Sequence, residues 1–65
     1  MRTAYELRYK IRQEKFWIRK NIISINEELC QLNINFVDIE ILLHSLQVHK
    51  NMLYYYQFYL RSLSG

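Results

Sequence analysis

Apolar residues recur along the second half of the chain at alternating steps of three and four. Ile39, Leu42, Leu46, His49, Leu53, Tyr56, Leu60 and Leu63 form one row, interrupted only by the histidine. A row of this kind is the buried stripe of an amphipathic helix, because positions three and four apart share a helical face. A second row, Ile41, Val48, Met52, Tyr55 and Tyr59, runs beside it. The apolar face is therefore wider than a single neighbouring helix covers. In the first half, Ile18, Ile22, Ile25, Leu29 and Leu32 step in the same way, and Leu7 and Ile11 extend that row backwards across Glu14. The pattern predicts helix 1 over about 3–32 and helix 2 over about 36–63.

Between the two rows lies Leu32-Asn33-Ile34-Asn35-Phe36. Asn35 has the chemistry of an N-cap, and Asp38 three residues on can accept backbone N–H groups and complement the helix dipole. Asn33 is a residue type that tolerates the left-handed conformation in which many helices end. A single uninterrupted helix is the competing reading, since no Gly or Pro intervenes. The hairpin is preferred because the two asparagines coincide with a shift in the apolar pattern.

Composition narrows the architecture. The chain has 65 residues, Pro 0 and Gly 1, with 51% hydrophobic residues. It lacks the breakers that the turns of a mixed or all-β fold require. One domain, residues 1–65, is the most such a chain can form, and its single core is too small to be comfortable alone. With one cysteine no intramolecular disulfide is available, and no Cys/His cluster suggests structural zinc. Oligomerisation or docking remains. The expected fold is all-α: a two-helix antiparallel hairpin pairing into an antiparallel homodimeric four-helix bundle that buries both rows. Uncharged runs are too short to span a bilayer, and the basic N-terminal stretch has no apolar signal region. With a lone free thiol, a cytoplasmic, membrane-free protein is expected. Usage rich in Ile, Tyr and Asn suits AT-rich DNA and a phage or plasmid origin.

Charge is distributed unevenly. Residues 1–20 carry Arg2, Arg8, Lys10, Arg12, Lys15, Arg19 and Lys20 against Glu6 and Glu14, a balance of +5. Residues 21–65 carry Lys50 and Arg61 against Glu27, Glu28, Asp38 and Glu40, a balance of −2. The turn of the hairpin is thus acidic and its open end basic. An antiparallel dimer sets each turn beside the other copy's open end, which selects orientation more than it adds stability.

Two surfaces are candidates for function. Arg8, Arg12, Lys15 and Arg19 fall in one stripe of helix 1, about a quarter turn from the apolar row. Their i,i+4 repulsion would be relieved by an anionic partner. Tyr5, Tyr9 and Phe16 lie just beyond the stripe, where bases could stack while the cations hold phosphates. In a bland reading the stripe is solvated and the tyrosines are packed in the bundle. The other surface is the run Tyr54-Tyr55-Tyr56-Gln57-Phe58-Tyr59. Tyr54 and Phe58 fall on the side expected to be polar, and Trp17 is expected on the far side of helix 1 from its row. Exposed aromatics of this kind anchor protein interfaces, or serve self-association. The rows themselves, Ile18, Ile22, Ile25, Leu29, Ile39, Leu42, Leu46, His49, Leu53, Tyr56 and Leu60, are assigned to the core and dimer contacts.

Polar residues inside the rows have structural explanations. His49 is expected to pair with Asn21 and set register. Glu14 is expected to take a tyrosine hydroxyl or an ammonium near Lys50–Tyr56, and Cys30 to be a small buried apolar residue. His44 and His49 are too far around the helix to chelate one metal. Glu40 with His44 would need two more ligands from a second copy, with the turns adjacent. No serine has an elbow or a base at sensible spacing, and no glycine-rich loop cradles a phosphate. No cofactor, metal or catalytic residue is assigned, and the chain is not expected to be an enzyme.

The leading expectation is a small regulator that binds a larger protein stoichiometrically, as inhibitor or adaptor. Its partner-binding residues would be Trp17, Tyr54, Phe58, Tyr5, Tyr9 and Phe16, against an acidic or apolar surface. The alternative is a dimeric RNA- or DNA-binding bundle using Arg8, Arg12, Lys15 and Arg19. A short hairpin pairing into a four-helix bundle resembles, by architecture and not by motif, the RNA-modulating Rop-type proteins of plasmids. That likeness implies the nucleic-acid reading and carries over no residue.

Overall fold

A computed structural model describes residues 3–64. Two helices make up the fold: α1, Ala4–Leu29, and α2, Phe36–Ser64, packed antiparallel along their length. The molecule is a rod with extents of 50 × 16 × 14 Å. None of its helices is long and apolar enough to cross a membrane, among the described residues.

Each helix starts on a side-chain cap. Thr3, extended at φ −84° and ψ 162°, accepts the Glu6 amide N–H on its Oγ1 at 3.2 Å. Asn35 Oδ1 accepts the amides of Val37 at 3.1 Å and Asp38 at 3.2 Å. Each cap satisfies N–H groups that no helical carbonyl can reach.

Helix α1 ends three residues before the predicted boundary. The Cys30 N–H is shared between the carbonyls of Asn26 and Glu27, and the Gln31 N–H donates to Glu28 O, all at 3.2 Å. This tightening toward i→i+3 bonding uses up carbonyls that a terminating helix leaves open. Two acids, Glu27 and Glu28, stand in the final turn with no basic residue. Negative charge there opposes the helix dipole. Glu28 finds another use, accepting the Asn35 N–H on Oε1 at 3.2 Å across the turn. No described residue has positive φ, so Asn33 does not supply a left-handed stop. Leu32, expected to continue the row of α1, projects fully into solvent at 103% exposure.

The predicted rows face each other within one hairpin. Leu7, Ile11 and Tyr56 form the buried core, with Leu53, Tyr59 and Leu60 packed against them. Ile18, Ile25, Ile39, Leu42, Leu46 and His49 continue the seam as half-buried side chains. Ile22 and Leu29, assigned to the core, are exposed, because they sit at the edge of the seam and near the frayed turn.

Three cross-helix contacts fix the register. The Asn21 amide donates to Ser45 Oγ at 3.0 Å. His49 Nδ1 lies 2.5 Å from Glu14 Oε2, and the Trp17 ring stacks on the His49 imidazole at 6.1 Å and 18°. The pairing expected between His49 and Asn21 is therefore replaced by two others, each side chain taking the polar group nearest its own level. Glu14, expected to take a tyrosine hydroxyl or an ammonium, meets the His49 imidazole instead among the described residues. Cys30 is exposed, not buried, because α1 has ended before it reaches α2.

Candidate partner-binding surfaces

The hairpin has two flanks, and the helical period decides which side chains share each. On one flank, Arg8, Arg12, Lys15 and Arg19 are exposed along α1, as their spacing predicts. They border two open grooves between the helices. The larger, about 590 Å³, is lined by Arg8, Ile11, Arg12, Gln57, Leu60 and Arg61. The smaller, about 340 Å³, is lined by Lys15, Ile18, Arg19, Ile22, Ile23 and Leu53. Apolar side chains thus form the floor and cations the rim. Arg61 comes from α2, near its C-terminal end. Only the antiparallel register brings it level with Arg8 and adds a fifth cation to the rim.

Beyond the stripe the aromatic residues of α1 are not packed in a core. Tyr5, Tyr9 and Phe16 are all exposed. The Gln13 side-chain amide donates to the Tyr9 hydroxyl at 3.1 Å. Lys20 Nζ lies 5.9 Å from the Phe16 ring centre, within range of a cation–π contact. Phe16 also meets Trp17 edge to face at 5.4 Å and 74°.

Trp17 needs a correction. It is half-exposed, at 48%, but it is not on the far side of α1 from the seam: its stacking on His49 brings it against α2. It occupies the flank opposite the basic stripe, roughly 140–200° around α1 from those four cations.

On α2, Tyr54 and Phe58 are 63% and 69% exposed, one helical turn apart. Neither makes an aromatic contact with another described ring. Tyr55 does, meeting Tyr56 edge to face at 5.7 Å and Tyr59 at 6.3 Å. Also exposed are Val37, Ile41, Val48, Met52, Tyr55 and Leu63. With Tyr59 they make up the second apolar row, extended by Val37 at one end and at the other by Leu63, which also ends the first row. Intramolecular packing leaves most of that row open to solvent, while Tyr59 is partly covered against the core.

No group of three His, Cys, Asp or Glu side chains is arranged to hold a metal ion among the described residues. Both grooves are open along the rod. Compared with known protein families, with curated protein sequences and with solved structures, the chain matches none.

Proposed function

We propose that this hairpin is a small non-enzymatic regulator that acts by stoichiometric binding to a larger protein, and that two copies pair antiparallel into a four-helix bundle. One observation carries both parts of the reading: the apolar surface is far larger than the chain can use on itself. An 8.1 kDa monomer exposes 5376 Å², whereas a compact protein of this mass exposes about 4,500 Å². The difference is comparable to the ~800 Å² that each partner contributes to a standard interface. Elongation accounts for the area, and apolar side chains fill it. Among the described residues only three hydrophobic side chains are buried, while nineteen large ones are exposed.

The aromatic anchors Trp17, Tyr54 and Phe58 stand on different flanks, so pairing with a second copy does not use them all. That surplus favours a foreign partner. The expected result of affinity purification from the native cell is one larger protein recovered in equimolar amount. Tyr54→Ser with Phe58→Ser should lose it while helicity by circular dichroism is unchanged. Retention of the same protein by the doubly substituted chain would remove these residues from the binding site.

A second reading has its own support. Arg8, Arg12, Lys15 and Arg19 are exposed together, and none is in an ion pair among the described residues. Such a strip suits a phosphate backbone. Binding of labelled RNA or DNA across a salt series tests it. Neutralising two of the four should lower the log–log salt slope by about two units, uniformly across sequences. Absence of saturable binding at low salt would eliminate nucleic acid and leave the strip to an acidic protein surface.

A further inference from the structure

The open row of α2 has a shape that selects its own copy. Its members, in order, are Val37, Ile41, Ser45, Val48, Met52, Tyr55, Tyr59 and Leu63. Ser45 is half-buried beneath its bond from Asn21 and Tyr59 is partly covered, while the other six are exposed. The row is centred on position 50, which is also the midpoint of Phe36–Ser64. Two such helices laid antiparallel about that point overlap over their full length, and no turn of the row is left uncovered.

Any seam of alternating steps is symmetric about its middle, so the register alone decides nothing. The side-chain sizes do. In this arrangement Val48 meets Met52, Ile41 meets Tyr59 and Val37 meets Leu63. The smallest member, Ser45, meets the large Tyr55. Large thus falls opposite small or medium at each level, as interdigitating layers require. The parallel alternative stacks each residue on itself, setting Tyr55 on Tyr55 and leaving a void at Ser45.

Charge points the same way. In the antiparallel pair each acidic turn lies beside the partner's basic open end. In the parallel pair like ends meet. Geometry also leaves the other flank free. Tyr55 and Tyr59 lie about 120–160° around α2 from Gln57 and Arg61, which line the groove, so a copy on this row does not cover the basic strip. Trp17, on the same flank as the row and level with His49, stands near the symmetry axis.

We infer that the face Val37–Ile41–Val48–Met52–Tyr55–Tyr59–Leu63 is the docking surface for a second copy of this chain, antiparallel, with its two-fold axis at the level of Lys50. The inference rests on the pairing proposed above and places its interface; it requires nothing of the larger partner. The full-length chain with Cys30→Ser is the material for the test, which needs no foreign protein. Sedimentation should give twice 8.1 kDa for the parent chain. Val48→Asp with Met52→Asp should weaken association by about 100-fold or more, because unpaired carboxylates are then buried at the axis. Ile23→Asp, on the groove flank, should leave it unchanged.

Cysteines settle orientation without depending on a disrupted variant. Ile41→Cys mixed with Tyr59→Cys should oxidise to a linked heterodimer, and Ile41→Cys alone should not link. A parent chain that remains monomeric at millimolar concentration overturns the pairing itself. A dimer that survives the two aspartates but dissociates with Ile23→Asp overturns the face, and ready linking of Ile41→Cys to itself overturns the orientation. A failure to recover a larger partner bears on the regulatory reading and on none of these measurements.

Discussion

The two ends of the hairpin are built differently, although the same two helices run through both. At the open end Leu7 and Ile11 of α1 close on Tyr56 of α2, and all three side chains are buried. At the turn end Leu29, Leu32, Ile34, Phe36, Val37, Ile41 and Leu43 are exposed. The covalent connection is at the end with the weaker packing. A short loop makes the encounter of the helices inexpensive in chain entropy, and there the side chains contribute little. The end that lacks a connection is the one where the buried side chains lie. The contrast explains why the charges are segregated as they are. The basic end has its own core, whereas the acidic end carries unmet apolar surface, which the proposed antiparallel pairing would cover.

Substitutions can break that comparison, beginning with the largest expected effect. Leu7→Ala removes a fully buried side chain from a core of three and should cost about 3 kcal/mol. In a chain with so small a core, that loss should abolish most of the helical circular dichroism at 25 °C. Ile25→Ala, in the same row but half-buried near the turn, should cost only about 1 kcal/mol. Equal losses from the two substitutions in thermal or urea melts would show that the ends are equally packed.

Smaller changes sharpen the contrast. Asn35→Ala deletes the acceptor for two amides at the start of α2, with an expected loss of about 1 kcal/mol and fraying confined to the turn end. Amide hydrogen exchange should show Val37 and Asp38 losing protection while the residues around Tyr56 keep theirs. Glu14→Ala removes the His49 partner in the middle of the rod, and a urea titration should register a loss of about 1 kcal/mol. Leu32→Ser, at a fully exposed position, should lie within about 0.5 kcal/mol of the parent, with improved solubility as its visible consequence.

Much of the fold is legible in the chain before any coordinates. The alternating rows identify two helices, Asn35 marks the start of the second, and a chain with no Pro and a single Gly excludes most other architectures. The basic stripe is legible as well, because four positions on one helical face depend only on the helical period. Less legible is the end of α1. Leu32 continues the apolar row by spacing, yet local carbonyl bonding and two acids at the C-terminus end the helix at Leu29. Trp17 was misplaced for a related reason: a wheel gives an angle from the seam, but a large ring reaches across that angle to stack on His49.

The sequence by itself determined the helices, their amphipathic faces, the position of the turn and the opposed charges of the two ends. These follow from periodicity, capping chemistry and composition, which act over a few residues. Tertiary structure decided which residues meet: Glu14 with His49, Asn21 with Ser45, and Arg8 and Arg12 with Arg61 around one groove. It also decided which of the two apolar rows α1 would occupy and which would be left open. Those outcomes depend on the relative height of two helices, to within a fraction of a turn. That height is set by the combined packing of all the side chains along the seam, and no local pattern contains it.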